Sequence, residues 1–161
     1  FTPGSEIIYE HLPLLSKILK LNIPFVLGTD CAAANDQADM ISEMKLTHLL
    51  CQDRGFKNLQ LSEKILNSCT HQAAQAYGVD NWSTLKVGAC ADLNFFAKTL
   101  STLPLQKPLE NLIFSHSGQT LKHVMINGEW ILYNQTPTKI DLECAKKDFT
   151  EALKIFRERI H

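Results

Sequence analysis

Near residue 80 the sequence changes rhythm, and that change constrains the fold more than any other feature. Before it, apolar residues recur at three- and four-residue spacings. After it, from 79 to 133, they come in short β-prone runs, "ADLNFFA", "NLIFSH", "HVMING" and "EWILY", separated by Gly, Pro, Ser and Asn clusters. Both rhythms in one chain indicate an α/β fold with a helix-rich first part followed by a small β-unit. Asn127-Gly128 stands between two apolar runs, and both residues tolerate the positive φ of a tight hairpin turn, so 124–126 is expected to pair with 130–132. Leu142, Ala145, Phe149, Ala152 or Leu153, Phe156 and Ile160 then mark a long amphipathic helix opened by Asp141 as N-cap, a face that needs a surface to cover.

In the first part, Ile8, Leu12, Leu15, Ile18 and Leu21 predict a helix over 5–21, ended by Asn22 and Pro24. Phe25, Val26 and Leu27 then form an apolar run bounded by Pro24 and Gly28, which suits a strand at 25–29 covered on both faces. A second helix follows from the line Ile41, Met44, His48 and Cys51, widened by Leu49 and Leu50 and stopped by Gly55. Ser62 offers an N-cap, Leu61 and Leu66 a hydrophobic staple, and Leu66, Cys69, Ala73 and Ala76 carry a further helical face as far as Gly78.

Asp30 follows that strand, at its carboxyl end. In parallel α/β sheets this end faces the ligand, so a carboxylate there is a candidate for chemistry; a turn- or helix-capping Asp is the equal alternative. Asp39 and Glu43, four apart at the start of a helix, read as acids favoured by the helix dipole. His11, His48, His71, His116, His123 and His161 include no pair two apart; His48 lies on an apolar line and reads as a packed histidine, and His116 and His123 as structural or exposed.

The 161 residues are 45% hydrophobic and 20% charged with a formal net charge of −1, which excludes extensive disorder and gives no electrostatic reason to expect nucleic acid or an anionic membrane surface as a partner. No apolar run approaches the roughly 20 residues of a membrane span, and the start lacks a signal-peptide pattern, so a soluble, cytoplasmic protein is expected. The cysteines at 31, 51, 69, 90 and 144 form no C-x-x-C pair and are expected to be reduced.

The segment "LGTDCAAANDQADMISEMK" resembles the G-T-D signature of the amidohydrolase superfamily, in the chlorohydrolase and aminohydrolase branch that includes adenosine-type, guanine and cytosine deaminases. "NSCTHQAAQAYGVDNWSTLKVGACADLNFF" and "LIFSHSGQTLKHVMINGEWIL" are similar to the segments that follow in that branch, in the same order. The resemblance implies that Asp30 ends the eighth strand of a metal-dependent (β/α)8 barrel, where it ligates or approaches one divalent metal, zinc or else iron, and acts as general base toward a metal-activated water. The reaction implied is hydrolysis of a C–N or C–Cl bond on a heterocyclic ring, foremost the deamination of a nucleobase or nucleoside. Asn35, in the small polar loop after the acid, could contact the small heterocyclic substrate or make an Asx-turn. Cys31 stands where many members of the branch have Gly or Ser.

A complete barrel needs about 250 residues, so the resemblance implies a carboxyl-terminal portion. The expected organisation is a partial barrel segment over 1–80 with Phe1 to Ser5 near the end of the seventh strand, a small β-domain over 81–138, and a terminal helix over 139–161 packing back on the barrel part. The H-x-H pair and other histidine ligands of the family have no counterpart here, so the isolated chain is expected to lack the metal and to be inactive, with an identical copy or the amino-terminal portion of the same protein as partner. The alternative is a non-catalytic domain that folds and self-associates without metal.

Overall fold

The computed structural model describes residues 1–11, 14–53, 60–116 and 118–160. Among the described residues the elements before residue 80 are all helices and a four-stranded antiparallel sheet follows after it, so the change of rhythm near residue 80 marks a real change of architecture.

The single helix expected over 5–21 is two, Pro3–Ile8 (α1) and Leu15–Lys20 (α2). α1 ends where Glu10 takes φ 61°, and the amides of Glu10 and His11 donate back to the carbonyls of Ile7 and Glu6 at 3.0 and 2.7 Å. This is the paired closure of a left-handed helix cap. Asn22, at φ 51°, ends α2 in the same way, and Gly78, at φ 71°, does so further on. The break escaped the periodicity because Ile8 and Leu15 stand seven apart, close to two whole turns, so the apolar line runs through it. Leu12 lies outside the described residues.

No strand forms over 25–29. The segment makes one rung of parallel pairing instead: the Phe1 amino group donates to the Val26 carbonyl at 3.0 Å and the Gly28 amide to the Phe1 carbonyl at 2.9 Å. On its other side the Leu27 amide donates to the Ser68 carbonyl at 3.3 Å. Leu27 is buried as expected, and Phe25 is partly buried against the core.

The helix Met40–Asp53 (α3) buries Met44, His48 and Cys51 as expected, whereas Leu49 faces solvent and the buried face is completed by Glu43 and Thr47. Gly55, expected to stop this helix, lies outside the described residues. The next face is divided between Leu61–Cys69 (α4) and His71–Ala76 (α5), with Thr70 at φ −127°, ψ −89° between them and its hydroxyl bonded back to the Leu66 carbonyl. Ser62 is not the N-cap: that position falls to Gln60, two residues earlier, because Leu61 and Ile65, one turn apart, are both drawn into the core.

The run "NLIFSH", read as β-prone, lies mostly in a helix, Pro108–Ser115 (α6). Pro108 at the first position is preorganised for helix, Glu110 sits in the first turn, and Leu109, Leu112 and Ile113 share one face; a three-residue apolar run does not by itself separate strand from helix. Ile113 completes the core formed by Leu15, Leu19, Leu27, Met44, Cys51, Leu61 and Ile65, so this segment between two strands belongs to the helical packing.

The strands Leu93–Phe96 (β1), Leu121–Ile126 (β2), Glu129–Tyr133 (β3) and Thr136–Pro137 (β4) form the sheet in chain order. The hairpin falls where expected, with Val124 opposite Leu132, Met125 opposite Trp130, and Asn127 and Gly128 at φ 49° and 80°. Its turn is tied to the chain before β1, since the Asn127 amide donates to Asp92 and the Gly128 amide to the Ala91 carbonyl. The terminal helix, Leu142–Ile160 (α7), is capped by Asp141, whose Oδ1 accepts the amides of Glu143 and Cys144 at 3.0 and 3.1 Å. No α7 residue is buried, and Leu142, Phe149, Phe156 and Ile160 are exposed.

Candidate active site

Asp30 stands three residues after the buried Leu27, past the half-buried Gly28 and Thr29, and adopts φ 63°. Left-handed backbone is uncommon for a residue with a side chain, although Asp tolerates it better than most, and such outliers gather at functional sites. Its carboxylate is exposed to solvent. Oδ2 accepts the Ser5 hydroxyl at 2.7 Å, and Oδ1 accepts the Cys31 amide at 2.7 Å. The Ser5 hydroxyl foremost, and the Cys31 amide after it, hold the Asp30 carboxyl below the usual range, because both donate to the charged form.

The side chains behind Asp30 close a ring. Ser5 is buried, and its neighbour Gly4 donates its amide to Glu43 Oε2 at 2.9 Å. Glu43 Oε1 accepts Asn35 Nδ2 at 2.7 Å. The same Nδ2 donates to the carbonyl of Thr29 at 3.0 Å, one peptide before Asp30. Asn35 Oδ1 takes the Gln37 amide at 3.4 Å, a long Asx-type contact. The amide group of Asn35 is therefore directed into the protein.

Glu43 is more than the dipole-favoured acid its place in the sequence suggested. It is 4% exposed, in the first turn of α3, and joins α1 to the loop after Asp30. An acid one turn before the buried Thr47, on the face that also carries Met44 and Cys51, was the signal available. Asp39 is the N-cap of α3: Oδ1 accepts the Ile41 amide at 2.9 Å and the Ser42 amide at 3.4 Å, and Oδ2 the Ser42 hydroxyl at 2.9 Å. Ser5 carried no sequence signal beyond its place in α1.

His48 packs edge-on against Phe114 with ring centroids 4.9 Å apart. His116 Nδ1 lies 2.9 Å from the Thr120 hydroxyl, and His123 is stacked among Phe95, Trp130 and Tyr133. None of these rings joins Asp30 in a cluster. Among the described residues no group of three or more His, Cys, Asp and Glu side chains converges in a way that could hold a metal ion. A catalytic zinc ordinarily takes three protein ligands, and the described residues supply no such set; the Asp30 carboxylate is a single group of the kind zinc accepts. All five cysteines are free; burial pushes the thiols of Cys51 and Cys69 up to about 11, which leaves them unreactive.

With this geometry in view, the amidohydrolase family profile matches residues 4–131. The chain belongs to the amidohydrolase family. The G-T-D segment, the loop after it, β2 and the hairpin turn fall inside the match, which ends within β3. Among curated relatives, a 5'-deoxyadenosine deaminase of Methanosphaera stadtmanae is 32% identical over 136 residues, 83% of this chain and 32% of the relative. A 5-methylthioadenosine/S-adenosylhomocysteine deaminase of Pyrococcus furiosus is 36% identical over 121 residues, 73% of this chain and 28% of the relative. The chain thus spans about a third of the length of the relatives it matches.

The solved structure of a zinc-bound adenosine deaminase from Xanthomonas campestris superposes with a TM-score of 0.84 at 23% identity, covering 99% of this amidohydrolase chain and 36% of the other. That of the atrazine chlorohydrolase of Arthrobacter aurescens, complexed with zinc, gives 0.81 at 19% identity over 93% of this chain and 34% of the other. Mixed helix and sheet in this order is therefore the architecture of a part of these larger amidohydrolase folds. The resemblance to the deaminase and chlorohydrolase branch, expected from three sequence segments, holds.

Proposed function

We propose that this chain supplies the carboxyl-terminal part of a zinc-dependent aminohydrolase that deaminates the adenine ring of a nucleoside-like substrate, with Asp30 as metal ligand and general base. The single observation that carries the reading is the place of Asp30: an exposed carboxylate held by Ser5 and Cys31, three residues after the buried Leu27, in the G-T-D sequence of an amidohydrolase-family chain. In the reaction, water adds to the ring carbon bearing the amino group, the C–N bond breaks, and ammonia leaves. Asp30 would be one of the groups holding a divalent metal in the whole enzyme, and that metal would supply the charge that brings the pKa of the attacking water toward about 7. Asp30 takes the proton of that water and returns it to the departing nitrogen. Asn35, whose amide already serves Thr29 and Glu43, contributes to substrate binding through the shape of the loop it holds.

The remaining metal ligands belong to a part of the enzyme outside these 161 residues, and the isolated chain is accordingly inactive. Residues 1–80 form a barrel segment; the Phe1 to Val26 and Gly28 to Phe1 bonds, parallel in pattern, support a place for Phe1 to Ser5 near the end of the seventh strand. The bare face of α7 supports burial against another part of the same protein or against a second copy. Five free cysteines fit the reducing cytoplasm.

The test is Asp30→Asn in the full-length enzyme, assayed for ammonia release from 5'-deoxyadenosine and 5-methylthioadenosine with metal content measured in parallel. The amide is nearly isosteric but is no base, so kcat should fall about 10²–10⁴-fold while much of the substrate binding is kept. Turnover within a few-fold of the parent, with metal bound, would sink the reading and return Asp30 to a turn-capping acid. A full-length protein with neither metal nor deaminase activity would favour the self-associating, non-catalytic alternative.

A further inference from the structure

We propose that Ser5 is a positioning residue for Asp30, and that buried Glu43 keeps Ser5 and the Asp30 backbone in one register; the inference rests on the base reading above. The ring runs Asp30, Ser5, Gly4, Glu43, Asn35, Thr29 and back to Asp30, through hydrogen bonds of 2.7, 2.9, 2.7 and 3.0 Å joined by single peptide steps. One arm fixes the carboxylate and the other fixes the peptide before it.

The two arms control different motions. Ser5 engages Oδ2, and the Cys31 amide engages Oδ1 of the same carboxylate, so rotation about the Asp30 side chain breaks one bond or both. Asn35 holds the Thr29 carbonyl, which limits rotation of the peptide that sets Asp30 at φ 63°. Glu43 joins the two arms, and both of its oxygens are used. Its place is also tightly bounded, since a Cβ on Gly4 would stand 2.4 Å from Oε1 and 2.9 Å from Asn35 Nδ2.

Glu43→Gln cannot preserve this ring. If the new amide nitrogen faces Asn35, two NH2 groups oppose each other; if it faces Gly4, it opposes the backbone amide. Turning Asn35 over to accept from Gln at 43 would put its oxygen against the Thr29 carbonyl. Each arrangement loses at least one bond of the ring.

The experiment uses the full-length, metal-loaded enzyme with Ser5→Ala, Ser5→Thr, Glu43→Gln and Asp30→Asn. Misplacing a reacting group by on the order of 1 Å costs about 10²-fold, so Ser5→Ala and Glu43→Gln should lower kcat by roughly 10–100-fold with KM within about threefold. Ser5→Thr, which keeps the hydroxyl, should recover most of the loss. A readout independent of turnover is the visible spectrum of the cobalt-substituted enzyme, which should change in Ser5→Ala and return toward the parent in Ser5→Thr. If Asp30→Asn is inactive while Ser5→Ala keeps both kcat and the cobalt spectrum of the parent, the positioning role is overturned and the base reading survives. A loss of activity that only tracks lost folded protein or lost metal, without rescue by Thr, also overturns it. If Asp30→Asn stays active, the base reading fails and this inference fails with it.

Discussion

Gly4 and Glu43 are packed so closely that a methyl group on Gly4 would stand 2.4 Å from Glu43 Oε1. Gly4 lies inside α1, where Ala ordinarily improves helix stability by up to about 1 kcal/mol over Gly. Here the acid cannot step aside without giving up the Gly4 amide or Asn35. Gly4→Ala should therefore destabilise the protein by about 1 kcal/mol or more in denaturant titration, within the usual range for overpacking. A stabilised Gly4→Ala protein would show that Glu43 gives way freely and is not clamped.

Asp39 caps α3 from outside the ring. Removing the cap in Asp39→Ala should cost about 1 kcal/mol, because the amides of Ile41 and Ser42 lose their acceptor. In the full-length enzyme kcat should stay near the parent value. Comparison with Glu43→Gln then separates a loss of helix stability from a loss of alignment at Asp30. A large drop in kcat for Asp39→Ala would mean that any loosening of α3 reaches the site.

At the hairpin, Gly128→Val places a β-branched residue at φ 80°. The left-handed penalty for such a side chain is about 1–2 kcal/mol, and the Gly128 amide must also keep its bond to the Ala91 carbonyl. The melting temperature should fall, and an unchanged value would remove the Asn-Gly turn from the account of how the sheet is registered.

The hairpin was legible because its signal is local: two residues able to take positive φ between two apolar runs. Asp141 and α7 were legible for the same reason. The break between α1 and α2 was not, since the closure at Glu10 uses a left-handed conformation that glutamate does not announce as glycine does, whereas the end of α2 at Asn22 was read from the sequence. The helix at Pro108–Ser115 was misread because its apolar run is short and its partner, the core at Met44 and Ile65, is far away in sequence. Asp30 could be singled out from its place after an apolar run and from the G-T-D resemblance. Its supports could not, because Ser5 and Glu43 are distant in sequence and meet only when α1 and α3 pack.

His48 gives the protein an acid-sensitive point away from Asp30. It is 7% exposed, its ring lies against Phe114, and its Nδ1 has no hydrogen-bond partner among the described residues. Burial pulls its pKa below the ordinary 6.5, with the nearby Glu110 charge opposing in part. Above that ordinary value the imidazole is neutral in both the folded and the unfolded chain, and its contribution to stability is fully present. As the pH falls below 6.5, the unfolded chain takes up the proton first, so stability declines until the folded imidazole is also protonated. One such group gives a slope of at most about 1.4 kcal/mol per pH unit. His48→Leu removes both the titrating ring and the unpaired nitrogen, so it should hold or raise the melting temperature at pH 7 and flatten the decline between about pH 6.5 and 5. Parallel melting curves for parent and variant across that interval would mean that His48 is readily protonated in the folded protein and that the acid sensitivity lies elsewhere.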